Sequence, residues 1–223
     1  MTKIATENVS KSDSIRLLLV DDHSIVRAGF RRLLDDAEDM DVVEEADSGE
    51  KAIIEYARLL PDVVVMDLTM PGIGGLEAIR RIRSKHSDAK ILVLSVHEDV
   101  VYSSRVLQAG ALGFVSKRCV PQIMLDAVRA VARGEVFLEQ SVAQQLALDQ
   151  IGGRANPVKQ LTDREFEVFR LLAEGKSINQ VAKALFLSPK TVSTYQTHIF
   201  QKLGVSNIAA LTRLAIRQGF IDA

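Results

Sequence analysis

At residues 63–75 the chain reads VVVMDLTMPGIGG. A continuous apolar run stops at Asp67, and a glycine-containing turn and an amphipathic segment follow it. Apolar runs of this length, too short to span a membrane, are typical of buried strands in a parallel sheet. We therefore predict a strand, then a loop that carries Asp67 at its start, then a helix.

The same pattern occurs three more times in the first half of the chain. Each run ends on polar residues: LLLV (17–20) on Asp21 and Asp22, ILVL (91–94) on Ser95, and GFVS (113–116) on Lys117. In an open α/β sheet, ligands bind outside the carboxyl ends of the strands. Carboxylates, a hydroxyl and an amine are therefore expected at one edge, and this is the composition of a Mg²⁺–phosphoryl site.

From residue 15 to about 134, strand and helix patterns alternate. We predict strands at 15–20, 41–46, 62–66, 90–95 and 113–116, and helices at 24–36, 49–59, 75–85, 99–108 and 121–133. Five such units predict a five-stranded, doubly wound parallel sheet of the flavodoxin-like order 2-1-3-4-5. In that order strand 3 lies beside strand 1, so Asp67 would neighbour Asp21 and Asp22.

The second half of the chain contains helix signals only. A short helix is predicted at 141–149, and two glycines and a proline indicate a linker at 150–160. Capping residues predict helices at 163–174, 178–185, 189–203 and, opened by Ser206, to about 217. The predicted domains are a disordered tail (1–13), an α/β domain (14–135), a linker with a short helix (136–160) and an all-α four-helix helix-turn-helix domain (161–223).

Charge is distributed unevenly along the 223 residues. Residues 159–223 carry nine Lys and Arg against five Asp and Glu, whereas residues 1–135 carry eighteen against twenty-two. A basic second half indicates a role on nucleic acid. The single cysteine, Cys119, excludes an internal disulfide framework, and the sequence shows neither an apolar signal segment nor a membrane-length apolar run. We expect a cytoplasmic protein without a membrane partner.

The helix predicted at 189–203 has an unusually polar start, SPKTVSTYQT at 188–197. Ser193, Thr194 and Thr197 fall on the side opposite its apolar residues. Short hydroxyl side chains suit contacts with base edges, and Lys190 with the helix N-terminal amides suits phosphate. An ordinary solvated helix face would account for the same pattern.

The first half resembles the receiver domain of bacterial two-component response regulators. The matching segments are VDDH (20–23), MDLTMPGIGGLE (66–77), LSVH (94–97) and FVSK (114–117). The resemblance implies that Asp67 accepts a phosphoryl group from a sensor histidine kinase or a phosphotransfer domain. It also implies a set of supporting residues: Mg²⁺ ligands Asp22, Asp67 and the Thr69 carbonyl with Asp21 acting through water, Lys117 paired with the phosphoryl group, and a switch pair of Ser95 and Phe114.

The second half resembles the LuxR/FixJ-type helix-turn-helix in LTDREFEVFRLLAEGKS, VAKAL and KLGV, and the whole chain is similar to NarL/FixJ response regulators, with details like those of the GacA/UvrY group. The resemblance implies a transcription regulator, activated by phosphorylation of Asp67, that binds promoter double-stranded DNA as a homodimer and works with RNA polymerase. The implied DNA contacts are Ser193, Thr194 and Thr197 to bases, and Lys190, Thr191 and Lys202 to phosphates.

Two alternatives remain open at this point. A Mg²⁺-dependent phosphohydrolase would also use Asp67 as a nucleophile, but such enzymes usually place an acid/base carboxylate two residues later, where this chain has Thr69. A phosphorylation-independent DNA-binding regulator would use the first domain only as a dimer scaffold. We expect a regulator and not an enzyme.

Overall fold

The computed structural model describes residues 14–96, 100–151, 156–218 and 220–221; the predicted tail at 1–13 lies outside them. The strands are β1 (Ile15–Val20), β2 (Met40–Ala46), β3 (Val63–Asp67), β4 (Ile91–Ser95), β5 (Gly113–Ser116) and β6 (Phe137–Leu138). The helices between them are α1 (Ser24–Asp35), α2 (Gly49–Leu59), α3 (Gly74–Lys85), α4 (Val100–Gln108) and α5 (Pro121–Ala132).

The strands form one parallel sheet of order β2-β1-β3-β4-β5-β6. The predicted order of the first five strands is confirmed, and the five-strand count is corrected by β6. This strand lies in the segment predicted as linker, where Phe137 and Leu138 pair with Gly113 and Phe114. Two residues are too short to produce an alternating pattern, so the sequence carried no signal for this strand.

The sheet is buried on both faces, as expected for a doubly wound fold. On β1, Leu17 and Leu19 face a core shared with α1 and α5. Leu18 and Val20 face the opposite core, shared with α2, α3 and α4. Alternate side chains of each strand thus fill two layers, which explains why the apolar runs are continuous.

Helix α3 starts directly against the end of β3. The Gly75 amide donates to the Leu68 carbonyl at 3.1 Å. A Cβ atom at Gly75 would lie 2.1 Å from the Asp67 carbonyl oxygen, so only glycine permits this approach. Gly72 and Gly74 adopt φ values of +84° and +73°. These glycines close the loop that holds Asp67 at the sheet edge.

The remaining part is helical: α6 (Gln140–Ile151), a 3₁₀ turn (Pro157–Gln160), α7 (Asp163–Ala173), α8 (Ile178–Ala184), α9 (Pro189–Leu203) and α10 (Ile208–Arg217). The predicted caps Thr162, Ser177 and Ser188 accept the expected backbone hydrogen bonds. The expectation for Ser206 was wrong, because Asn207 caps α10 by accepting from the Ala210 amide at 2.9 Å. Among the described helices, none combines the length and the apolar character that crossing a bilayer requires.

Candidate functional site

The carboxyl ends of β1, β3 and β5 bring together the polar residues that follow them. Asp21 and Asp67 are 0% and 1% exposed. The Lys117 ammonium lies 2.6 Å from Oδ2 of Asp21 and 2.8 Å from Oδ2 of Asp67. One cation therefore bridges two buried carboxylates from different strands. We call this group, together with Asp22, the carboxylate edge.

The carboxylate edge has the donor set of a small divalent cation. One ligand atom from each of Asp21, Asp22, His23 and Asp67 lies within 4.8 Å of the others. Carboxylate oxygens are the preferred ligands of Mg²⁺, which also retains several waters, so the residues present fit this ion. Sequence reasoning missed His23, whose amide donates to Oδ1 of Asp21 at 2.8 Å and whose Nδ1 lies 2.9 Å from Oδ1 of Asp22.

The electrostatics of the edge are unbalanced. Burial raises the pKa of the Asp67 carboxyl, the neighbouring Asp21 adds to the rise, and Lys117 opposes it. Burial works to lower the pKa of Lys117, but Asp67 and Asp21 outweigh it and the pKa lies above its ordinary value. The ionised Asp67 is thus held at a cost that a further cation would reduce.

Thr69 is close to the Asp67 carboxylate. Its amide donates to Oδ1 of Asp67 at 3.1 Å. Its hydroxyl accepts a long hydrogen bond, 3.4 Å, from Nη2 of Arg170 in the C-terminal domain. The predicted role of the Thr69 carbonyl in holding a metal stays a prediction.

Ser95 and Phe114, the predicted switch pair, lie on the adjacent strands β4 and β5. Both are fully buried. Phe114 pairs in register with Val93, and the Ser95 carbonyl accepts a hydrogen bond from the Lys117 amide at 2.8 Å. Phe114 has no hydroxyl, so any coupled movement of the two side chains would depend on packing.

A contact between α4 and α7 joins the two domains. The Tyr102 and Phe166 rings lie 5.4 Å apart, and the Arg105 guanidinium lies 4.8 Å from the centre of the Phe166 ring. Arg105 also pairs with Asp163 at 2.7 Å and donates to the carbonyls of Leu161 and Val158 at 2.6 and 3.1 Å. We call this contact the α4–α7 interface.

Helix α7 also packs along the β3–α3 loop. Nη1 of Arg164 donates to the Gly72 carbonyl at 3.2 Å and pairs with Glu167 at 2.6 Å. Oε1 of Glu167 lies 2.7 Å from where a Gly74 Cβ would be, so a side chain there would collide with it. Burial raises the pKa of Glu167 to about 6, although Arg164 and Arg170 oppose the rise.

Helix α9 presents most of the predicted DNA contacts on its surface. Lys190, Thr194 and Thr197 are exposed, and Thr191 and Ser193 are half-buried. The Ser193, Thr194 and Thr197 hydroxyls donate to carbonyls four residues earlier at 3.0–3.1 Å, which leaves their oxygen lone pairs as acceptors. Lys202 instead pairs with Glu165 at 2.6 Å, so a phosphate contact would require it to leave that partner.

Two family models cover most of the chain. One, described as "Response regulator receiver domain", matches residues 17–129, and another, described as "Bacterial regulatory proteins, luxR family", matches residues 159–215. The chain is a two-component response regulator with a LuxR-family domain. The regulator is 43% identical over 211 residues to the response regulator UvrY of Escherichia coli, covering 94% of this chain and 97% of that one. It is 41% identical to the response regulator GacA of Pseudomonas viridiflava, covering 94% and 99%.

Solved structures of response regulators share the fold. RcsB from Salmonella enterica serovar Typhimurium, bound to a promoter in the presence of phosphomimetic BeF₃⁻, matches with a TM-score of 0.67 and 32% identity, covering 90% of this regulator and 98% of that chain. The response regulator ChrA of a heme-sensing system matches with a TM-score of 0.52 and 35% identity, covering 94% and 100%.

The sequence gives little or no indication of several contact residues of the regulator. His23 follows Asp22 directly, and its proximity to the strand end is the one available signal. Tyr102 and Arg105 lie on an amphipathic helix, where an aromatic and an arginine are ordinary. Their partners are more than 50 residues away, so no local pattern indicates the contact.

Proposed function

We propose that this regulator accepts a phosphoryl group on Asp67 from a sensor histidine kinase or a phosphotransfer domain, and that phosphorylation controls its binding to promoter DNA. The observation that carries the proposal is the ion triad of Asp21, Lys117 and Asp67. A buried nucleophilic carboxylate beside a fixed ammonium provides both the attacking atom and a counter-charge for a phosphoryl group.

The chemistry follows from this placement. An oxygen of Asp67 bonds to the phosphorus of the donor, the bond from phosphorus to the donor breaks, and the donor leaves with the electron pair. Lys117 binds a phosphoryl oxygen, and the Thr69 amide orients the acceptor carboxylate. Asp22, Asp67 and the Thr69 carbonyl would hold a Mg²⁺ ion, with Asp21 acting through water, and the ion would supply charge compensation for the phosphoryl oxygens.

The signal reaches the second domain through α4. The phosphoryl group attracts the Ser95 hydroxyl, and the space that Ser95 leaves is available to the Phe114 ring, which is packed in the core beside α4. Helix α4 carries Tyr102 and Arg105, which hold α7. A local change of charge therefore biases an interface that is either formed or released.

The DNA interface is the exposed face of α9. Ser193, Thr194 and Thr197 meet bases, whereas Lys190, Thr191 and, once freed from Glu165, Lys202 meet phosphates. One domain carries few cations, so binding requires a homodimer on adjacent half-sites. A solved structure of two RcsB dimers bound to two parallel DNAs, 31% identical with a TM-score of 0.57, supports binding as a dimer. The regulator acts in the cytoplasm, and RNA polymerase is its downstream partner.

The site favours a regulator over a phosphohydrolase. Thr69 stands where an acid/base carboxylate would be needed, and its hydroxyl already accepts from Arg170. A threonine hydroxyl cannot take a proton from an attacking water at neutral pH as a carboxylate does. The acyl phosphate therefore persists and acts as a signal.

The proposal is tested with Asp67→Asn. Acetyl phosphate should increase the DNA affinity of the wild type and leave that of Asp67→Asn unchanged, with bound sites identified by genome-wide mapping. Asp88→Asn is the matched control, since Asp88 is exposed on the α3–β4 turn, and it should respond as the wild type does. Equal stimulation of Asp67→Asn by acetyl phosphate would contradict the proposal. A wild-type DNA affinity that is the same with and without the phosphodonor would favour a phosphorylation-independent regulator.

A further inference from the structure

Helix α7 of the DNA-binding domain rests on the loop directly after Asp67. Arg164 contacts the Gly72 carbonyl, and Arg170, six residues later, contacts the Thr69 hydroxyl. Glu167 lies between them, three residues from each, and its Oε1 also lies beside Gly74; positions three residues apart are neighbours on a helix surface. The face of α7 thus runs along residues 69–74, which lead from the acceptor strand into α3.

Thr69 connects this face to the acceptor. The Thr69 amide donates to Oδ1 of Asp67 at 3.1 Å, and the Thr69 hydroxyl accepts from Nη2 of Arg170 at 3.4 Å. Two hydrogen bonds through one residue therefore link a guanidinium of the DNA-binding domain to the carboxylate of the receiver domain.

The burial of Arg170 costs free energy. It is 5% exposed, and its Nη1 has no hydrogen-bond partner among the described residues. Its guanidinium lies 5.6 Å from the centre of the Tyr102 ring, and its Nε lies 3.8 Å from Oε1 of Glu174. A well-packed apolar side chain would serve docking alone at lower cost, which points to a role for the donor itself.

We propose that Arg170 is a positioning residue for phosphoryl transfer: by holding Thr69 in the docked arrangement, it keeps Asp67 in a slowly reacting state. The inference rests on the proposed function of Asp67. Asp67 is 1% exposed in this arrangement, so a donor phosphorus reaches its oxygen only when the residues that bury it move. Docking of α7 and phosphorylation then oppose each other, because weaker docking raises the fraction of the chain in the reactive arrangement.

The test uses the full chain with acetyl phosphate and Mg²⁺, and measures the rate of phosphoryl-Asp67 formation by intact mass. In the reaction an Asp67 oxygen bonds to phosphorus while the bond from phosphorus to the acetyl oxygen breaks, and acetate leaves with the electron pair. Arg170→Met, which keeps length and apolar packing, should raise the rate about 5- to 10-fold. Arg170→Lys, which keeps a donor, should stay close to wild type. Arg213→Met, on the exposed surface of α10, is the matched control and should not change the rate.

A double-mutant cycle with Thr69→Val separates positioning from general loosening of the interface. Arg170→Met should add no acceleration in the Thr69→Val background, because the hydroxyl through which Arg170 acts is gone. An equal acceleration in both backgrounds, or a wild-type rate in folded Arg170→Met, would overturn the role of Arg170 while leaving Asp67 as acceptor. Absence of label at Asp67 in every variant, including the wild type, would overturn the proposed function and the inference with it.

Discussion

The carboxylate edge and the α4–α7 interface both bury charged side chains, but they balance the charge differently. At the edge, Lys117 is shared between Asp21 and Asp67, with Asp22 close by, so negative charge is in excess. At the interface, Arg105 meets a carboxylate, two carbonyls and a ring. The excess favours a further cation at the edge, as the proposed function requires, whereas the charges of the interface are nearly balanced as they stand.

The largest expected effect is at the edge. Lys117→Met leaves two buried carboxylates without their cation, which should lower the free energy of unfolding by about 3–5 kcal/mol in metal-free buffer. Because a divalent cation would replace the lost charge, Mg²⁺ should restore a larger part of the stability in this variant than it adds to the wild type. Urea unfolding with and without Mg²⁺ measures both. Lys85→Met, exposed on α3, is the control, and equal losses in the two variants would contradict the shared-cation account.

The next effect is at the interface. Arg105→Met removes the ion pair with Asp163 and two hydrogen bonds to carbonyls, which should weaken docking by about 2–3 kcal/mol. The domains should then separate, and small-angle scattering should show a larger radius of gyration. Arg81→Met breaks a pair within α3 alone and should leave the radius unchanged. An unchanged radius in Arg105→Met would show that the interface is held elsewhere.

The smallest effect is a pH dependence of docking. Glu167 has a pKa of about 6 when docked, against 4.5 for an ordinary glutamate. Docking therefore takes up a proton. The stabilisation that protonated Glu167 contributes to docking is fully present below about pH 4.5 and is lost as the pH rises through 6. From pH 7 to pH 5 docking should strengthen by about 1 kcal/mol. Arg164, Arg170 and Asp163 are the charged groups that face this carboxyl.

Glu167→Gln is the check on this prediction. The amide keeps the size of the side chain and cannot titrate, so the compaction measured by small-angle scattering should no longer depend on pH between 5 and 7. A pH dependence that persists in this variant would assign the proton to another group.

The sequence predicts the edge much better than the interface. Asp21, Asp67 and Lys117 each end a buried strand, so a local pattern combined with the strand order was sufficient to bring them together. Helix caps such as Thr162 and Ser188 are also local and were predicted, whereas Asn207 next to Ser206 shows that a neighbouring cap residue of similar chemistry can take the position.

The unpredicted parts depend on contacts between distant residues. β6 forms because Phe137 and Leu138 reach the free edge of β5. Two residues are too few to show the alternating pattern of a strand. The contact of Tyr102 with Phe166 depends on how two domains dock, which no local pattern encodes. The functional residues at strand ends could therefore be inferred, and those that join the domains could not.

Amide hydrogen exchange with and without Mg²⁺ and BeF₃⁻ tests most directly whether charge added at Asp67 releases the α4–α7 interface. We expect faster exchange in residues 100–108 and 163–170 of the wild type when BeF₃⁻ is added, and no change in Asp67→Asn. Unchanged protection of both segments in wild type that has bound BeF₃⁻ would contradict it.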